Sequence, residues 1–542
     1  MRRLMNFIAL ALFLVAFTVQ AQDYDKDKLN WYNQTKYGMS TDKAYKKLLK
    51  DKTSKTVIVA VIDSGVDIEH EDLEGKIWTN EDEIPDNGID DDNNGYIDDV
   101  HGWSFLGNPD GENIEHEQLE MTRLYAKYDK IYGEKEADDI ADDEKEEYEL
   151  YLEVKEKVEA EIQQSEATMK QIESLYDMLS KSDSVVKKAL GKDDYTNKEL
   201  KKLVKKDKEV GVDAELLLKY RENGMTTKLL ERYIKYFEGS LEYHYNTEYN
   251  ARKIVGDDPS DFNDKYYGSN DVEGPDAMHG THCSGIIGAT RNNGLGNDGV
   301  ANDILIMSIR AVPDGDERDK DIALAIRYAV DNGAQVVNMS FGKSYSPYKE
   351  EVIAAIRYAE EHDVLLVHAA GNDGKDIGTS NNFPSPKYES MEEEFSNWIE
   401  VGASTRFGKA KEPKKFLFIK RQGNPGLAAT FSNYSEEHVD IYAPGLEIYS
   451  TVPQSEYQES QGTSMAAPMI TGLAALLKSY FPELTMLEIR EIILKSGQDV
   501  AEVETPCPGD TKVVLFKTLC ETGKIANTYN AVEMAIEMTE GK

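Results

Sequence analysis

The chain has 542 residues, enough for about two to four domains, and its 40% hydrophobic content is enough to build a large core. Its 101 Asp and Glu against 62 Lys and Arg leave a formal net charge of −39, which argues against a nucleic-acid partner, since phosphate is met by clustered cations. Three cysteines are too few for a disulfide framework.

Arg2 and Arg3, the apolar run from Phe7 to Phe17 and the Val19-Gln20-Ala21 tripeptide have the make-up of a secretory signal peptide over residues 1–21, cleaved before Gln22. The run is short for a membrane anchor, and no later segment is long and apolar enough for a transmembrane helix. The expectation is a soluble protein, secreted or periplasmic. In such an oxidising compartment Cys507 and Cys520, which bracket a short Pro/Gly-containing loop, are able to pair, while Cys283 reads as a buried free thiol.

Residues 22–54 are polar and Lys-rich, with a weak helical pattern from Thr41 to Leu49, and read as a leader. Thr56 to Ile62 is a β-branched run, as expected of a strand covered on both faces in a parallel sheet. Asp63 follows it, which puts a carboxylate at the carboxyl end of a strand, the edge where α/β folds carry their sites. In the acidic stretch beyond, Asp90, Asp92 and Asn94, the turn residue Gly95, the Tyr96 carbonyl and Asp98 match the first nine positions of a calcium loop of the EF-hand type. The twelfth position is His101 where a bidentate Glu belongs. The stretch is therefore either a partial calcium loop completed by other groups or a solvated acidic turn.

Residues 112–270 change to Glu, Lys, Leu and Tyr with few Gly or Pro. Tyr151, Val154, Val158, Ile162, Met169, Ile172, Tyr176 and Leu179 recur at helical spacing, Thr196 and Glu199 form a capping-box pair, and Leu229, Leu230, Tyr233, Ile234 and Phe237 mark a further helix. The block reads as an all-helical insertion, a hairpin or small bundle, dividing an α/β domain made of residues 55–111 and 271–542. In the second part, strands are predicted at Ile304–Arg310, Val336–Ser340, Val364–Ala369, Trp398–Gly402 and Val439–Tyr442. Helices are predicted at Asp321–Asn332, Lys349–His362, Met469–Tyr480 and Met486–Ser496. Strand alternating with helix implies right-handed crossovers and a largely parallel sheet flanked by helices.

Ser464, in Gly462-Thr463-Ser464-Met465-Ala466-Ala467-Pro468, stands where a loop enters a buried helix. A serine there is either a helix cap or a nucleophile whose negative intermediate faces unpaired N–H groups. A nucleophile needs a base and an orienting acid. His279, in His279-Gly280-Thr281-His282-Cys283-Ser284-Gly285, and Asp63 supply them, in the chain order Asp, His, Ser.

These three blocks, with Val59-Ala60-Val61-Ile62-Asp63-Ser64-Gly65-Val66 as the first, resemble the signature segments of the subtilisin-like serine proteases over residues 56–108 and 271–498. The resemblance implies a serine endopeptidase acting on protein or peptide substrates: Ser464 attacks, His279 moves the proton and Asp63 orients the imidazole. It further implies that Asn372, in Ala369-Ala370-Gly371-Asn372-Asp373-Gly374, supplies an oxyanion-hole amide, and that Ser340-Phe341-Gly342 lines the substrate, which pairs with it as an added strand. It places His282 and Cys283 beneath the site, where some family members carry a free cysteine. A second, structural calcium site is implied at Asp72 and Asn293, with neighbouring carbonyls. Two departures from the family stand out: the helical insertion, and a stretch between Ala21 and Lys55 too short for the usual folded propeptide. The insertion is one candidate for that role. The rival readings are a catalytically silent binding protein of the same fold working through its insertion, and an esterase using the same triad.

Overall fold

The computed structural model describes residues 28–540 except 409, 411–414, 417–418 and 421–424, so the expected signal peptide, residues 1–21, lies outside the described residues. Two compact units result, Met1–Glu115 with Ala251–Lys542, and His116–Asn250.

The first unit is built on a nine-stranded sheet: β1 (Val57–Asp63), β2 (Gly102–Ser104), β3 (Ile304–Arg310), β4 (Val336–Met339), β5 (Leu365–Ala369), β6 (Trp398–Ser404), β7 (Ile441–Pro444), β8 (Gln498–Asp499) and β9 (Lys524–Ile525). Their spatial order is β8-β9-β7-β6-β5-β4-β1-β3-β2. All neighbours run parallel except β8 and β9. Helices α1 (Met278–Gly288), α2 (Asp319–Asp331), α3 (Lys349–Glu361), α4 (Thr463–Tyr480), α5 (Met486–Ser496) and α6 (Thr528–Glu540) cover it. Period-two alternation divides each strand between two cores. Val57, Val59 and Val61 of β1 join residues of α1, α4, α5 and α6, whereas Ala60 and Ile62 join those of α2 and α3. This is why β1 reads as an unbroken apolar run.

Two sequence expectations shift. The last predicted strand moves from Val439–Tyr442 to Ile441–Pro444, because the Val439 backbone bonds outside the ladder, donating to the Ser435 carbonyl at 3.4 Å and accepting from the Glu521 N–H at 2.8 Å. Residues read as a leader pack into the first unit: Trp31, Tyr32, Met39 and Leu49 are buried beside β1, with helical turns over Thr41–Ala44 and Tyr45–Leu49. The Thr528 N–H donates to the Met39 carbonyl at 2.7 Å, which ties this segment to the start of α6. No helix among the described residues is long and apolar enough to cross a membrane.

The second unit is helical, with helices at Glu120–Tyr132, Lys145–Leu190, Asn197–Lys206, Val210–Arg221 and Thr227–Gly239. Lys145–Leu190 has 46 residues, about 69 Å of helix at 1.5 Å per residue. Tyr151, Val154, Val158, Ile172, Leu179 and Val186 are its buried seam, against which Glu120–Tyr132, Val210–Arg221 and Thr227–Gly239 pack. The helix stops at Gly191, whose φ of 66° suits glycine. The next starts on the expected capping box: Thr196 Oγ1 accepts from the Glu199 N–H at 3.3 Å, and Glu199 Oε2 from the Thr196 N–H at 2.9 Å.

The helical unit is narrower than 112–270, and buried charge explains its second boundary. Arg252 is held by Asp257 and Asp321, the Tyr267 hydroxyl donates to Asp321 at 2.5 Å, and Lys320 reaches Asp257 at 2.8 Å. This network fastens residues 251–270 onto α2. A buried pair that loses one partner leaves an uncompensated charge, at about 3–5 kcal/mol. Asp321→Asn is therefore expected to lower unfolding free energy by that amount in denaturant titrations, and an unchanged midpoint would show that the network is energetically idle.

Candidate active site

β1 delivers Asp63 to its carboxyl end, where the side chain is 2% exposed. Asp63 Oδ1 accepts the Ser64 N–H at 2.8 Å and lies 2.7 Å from His279 Nδ1. A carboxylate only accepts, so the imidazole proton sits on Nδ1 and Nε2 is left bare as a base. α1 reaches the end of β1 because Gly280 faces it: a Cβ there would stand 2.1 Å from the Gly65 carbonyl oxygen. Burial acts to lower the His279 pKa, but the charge and hydrogen bond of Asp63, with Asp276 farther off, outweigh it and hold the pKa above its ordinary value.

Ser464 sits in the first turn of α4, which starts at Thr463, six residues earlier than the predicted Met469, and is capped by Gly462. Ser464 is thus not the cap. Its N–H has no intrahelical acceptor at this position and no acceptor among the described residues. Pro468 lies one turn on and has no N–H to give the Ser464 carbonyl, so that oxygen is free for other donors. Ser340 Oγ donates to it at 3.0 Å and Cys283 Sγ at 3.4 Å. The Ser464 hydroxyl donates to the Ser340 carbonyl at 3.2 Å, and among the described residues no hydrogen bond joins it to His279.

Asn372 follows β5. Its Oδ1 accepts from the Thr463 N–H at 2.8 Å and the Thr463 hydroxyl at 3.1 Å, which orients the amide and leaves Nδ2 without a protein acceptor among the described residues. The Asn433 side chain holds this loop by accepting from the Asp373 and Lys375 N–H groups, both at 3.0 Å. Ser340, Phe341 and Gly342 follow directly on β4, outside the sheet. Beneath them, Thr471 Oγ1 donates to Asn338 Oδ1 and Asn338 Nδ2 to Ser340 Oγ, each at 3.0 Å. The supports at Asn338, Asn433 and Thr463 were not legible in the sequence, because a polar residue bonded to groups elsewhere in the fold has no characteristic spacing.

A sequence model described as the subtilase family matches residues 54–506. The chain belongs to that family. Among curated subtilase relatives it is 35% identical over 273 residues to a thermophilic serine proteinase from Bacillus sp. (strain AK1), covering 50% of this chain and 55% of that one. It is 36% identical over 202 residues to thermitase from Thermoactinomyces vulgaris, covering 37% and 61% respectively. With the cell wall-associated protease of Bacillus subtilis (strain 168) it shares 32% over 244 residues, 45% of this chain and 24% of that one. The matches thus span roughly a quarter to three fifths of these relatives.

Two groups of ligand-type side chains converge in this subtilase among the described residues: Asp63 with His279 and Cys283, and Glu83 with Asp90 and Asp92. In the first, burial, aided by Asp63, pushes the Cys283 thiol well above its usual pKa, and Nδ1–H is already given to the carboxylate. Cys283 is thus a protonated thiol beside the hydrogen-bonded Asp63–His279 pair. In the second, Asp90, Asp92 and Asn94 accept amide protons from within their own loop, and Glu83 accepts from the Asp91 and Asp98 N–H groups. Asp98 turns away, onto the Asn87 and Gly88 amides, and Tyr96 carries its ring into the core. Glu83 stands upstream of the loop pattern and so escaped it.

Asp72 and Asn293 meet across the fold, Asn293 Nδ2 donating to Asp72 Oδ1 at 2.7 Å. Asp72 is fully buried, and burial raises its pKa. His282 is on the buried side of α1, donating from Nε2 to the Gln458 carbonyl at 3.1 Å, with its pKa lowered to about 4 by burial. Cys507 and Cys520 are both free thiols.

The two histidines are expected to separate in an NMR titration. His279 should protonate above the ordinary value of about 6.5, and His282 should stay neutral down to about pH 4. Asp63→Asn should bring His279 down and move His282, to which Asp63 is only a minor contributor, much less; a His279 shift unaffected by that substitution would refute the assigned pairing.

Proposed function

We propose that the chain is an exported serine endopeptidase that cleaves peptide bonds through Ser464, His279 and Asp63. The observation that carries this reading is the 2.7 Å contact between His279 Nδ1 and Asp63, with the Ser464 hydroxyl at the start of α4 in the same subtilase framework. In the reaction, Ser464 Oγ attacks the carbonyl carbon and His279 Nε2 takes its proton, then returns it to the leaving amine. Asp63 keeps Nε2 bare in the ground state and balances the imidazolium as it forms. The Ser464 N–H and Asn372 Nδ2, which have no protein acceptor among the described residues, are the donors that would meet the developing oxyanion.

A peptide laid along Ser340–Gly342 as an added strand offers an N–H to the Ser340 carbonyl. That carbonyl now holds the Ser464 hydroxyl, and a peptide N–H donating to the same oxygen competes with that bond and favours rotation of the hydroxyl towards His279. Removing the export signal and the subsequent life outside the cytoplasm belong to the same reading, which rests on residues 1–21.

Calcium is proposed as a structural ion. Asp72 fits: it is a buried carboxylate whose hydrogen-bond partners, Asn293 and Tyr457, are neutral, and oxygen donors of mixed type suit calcium. The Asp90–Asn94 loop with Glu83 has the right chemistry and supplies a second place. An ion bound only by the native state stabilises it by mass action.

Ser464→Ala is expected to abolish peptide hydrolysis while the protein folds with an unchanged melting temperature; hydrolysis persisting in the purified variant would overturn the assignment, and inactivity of the wild type towards every peptide library would favour the silent binding protein. Chelation of calcium should lower the melting temperature, and Asp72→Asn should remove most of that response. Identical melting curves with and without chelator would end the calcium proposal.

A further inference from the structure

We infer that Arg310 is a positioning residue for the Asp63–His279 pair, and that it fastens this pair to the two chain segments that lead into and out of the helical insertion. The inference rests on the proposed proton-transfer role of that pair. β1 and β3 are parallel and in register, with Asp63 opposite Arg310 at their carboxyl ends. Arg310 is 2% exposed and forms no ion pair with a carboxylate among the described residues. A buried guanidinium costs several kcal/mol of desolvation unless its donors are satisfied, and here every acceptor is neutral.

Nε donates to the Ser64 carbonyl at 3.0 Å, Nη1 to Asn113 Oδ1 at 3.0 Å and to Ser104 Oγ at 3.3 Å, and Nη2 to the Ile114 carbonyl. Burial lowers the arginine pKa to about 10, with Asp271, Asp276 and Glu115 pulling the other way, so the group is cationic at neutral pH.

Ser64 is the pivot. Its N–H binds Asp63 Oδ1, the oxygen that faces His279, and its carbonyl is held by Arg310. The Asp63 carbonyl is in turn held by the Ala311 and Val312 N–H groups, at 3.1 and 3.2 Å, just past Arg310. Asn113 and Ile114 lie two or three residues before the helical unit begins. On the other side, Asn113 Nδ2 donates to Asp271 Oδ2 at 2.8 Å, and Asp271 Oδ1 accepts the Gly274 N–H at 2.9 Å. The guanidinium lies on Gly274, where a Cβ would stand 2.2 Å from Nε. Val272 meanwhile accepts the Val66 N–H at 3.0 Å. One side chain thus organises the catalytic turn and both strands of chain flanking a long insertion, without touching substrate.

The test is steady-state kinetics of full-length Arg310→Lys, with Asn113→Ala as a milder second variant. A single ammonium keeps the charge but cannot span the four acceptors, the Ser64 and Ile114 carbonyls, Asn113 Oδ1 and Ser104 Oγ. Because a misplacement of about 1 Å costs on the order of 100-fold in rate, kcat should fall by about 10- to 100-fold in Arg310→Lys with KM changed less than about twofold. The acid limb of kcat/KM should move to lower pH as His279 loses part of its contact with Asp63. Asn113→Ala should shift both quantities in the same direction by less. A folded Arg310→Lys or Asn113→Ala protein with wild-type kcat and an unmoved acid limb would overturn the inference even if its melting temperature were lower. Absence of hydrolysis by the wild type would instead overturn the proposed function.

Discussion

A buried carboxylate within 2.7 Å of an imidazole is the contact on which the site depends, because neither group can occupy its place alone. Asp63 at the end of β1 has its charge met by hydrogen bonds from Ser64 and His279, yet Oδ2 has no hydrogen-bond partner among the described residues. His279 needs that charge to hold its proton on Nδ1 and keep Nε2 bare. The backbone is built around this need. Gly280 lets α1 close on the β1 turn, and β1 is paired on both sides, by β3 and β4.

The remainder of the framework treats Ser464 in a related way, by leaving selected backbone groups unused. Pro468 withholds an N–H from the Ser464 carbonyl, and Ser340 and Cys283 fill the gap, so the loop after β4, α1 and α4 converge on one peptide unit. The start of α4 then leaves the Ser464 N–H without an acceptor among the described residues. Asn372 is oriented by Thr463 through its oxygen, which leaves its amide protons free as well. Unspent donors beside a nucleophile are unfavourable in a resting protein and useful only where negative charge is to develop.

Between Asp63 and His279 the chain makes a helical excursion from His116 to Asn250. Loop-closure entropy grows only logarithmically with length, so a long insertion is tolerated once its two ends are fixed. Here one end is fixed through Asn113 and Ile114 on Arg310, and the other through the buried Arg252, Asp321, Asp257 and Lys320 network. The sheet and the three signature blocks were legible in the sequence because they are local: β1 is an apolar run up to Asp63, β3 is one interrupted only by Ser308 before Arg310, and Asp63, His279 and Ser464 stand in motifs. The start of α4 was misplaced because the apolar run begins at Met469, whereas Thr463 to Pro468 is helical through contacts made by distant residues. Arg310, Asn338 and Glu83 went unread for the same reason, since each acts on groups far away in the chain or outside its motif. The leader was misjudged because a few buried side chains, Trp31, Tyr32 and Met39, outweigh a polar composition.

The central claim is that Ser464 is a nucleophile activated by His279. It is tested most directly by treating the folded protein with a fluorophosphonate across a range of pH and mapping the adduct by tandem mass spectrometry. The account expects a single adduct, on Ser464, forming more slowly as acid protonates His279 through its raised pKa. An adduct on another residue, or none on folded protein at any pH, would contradict it.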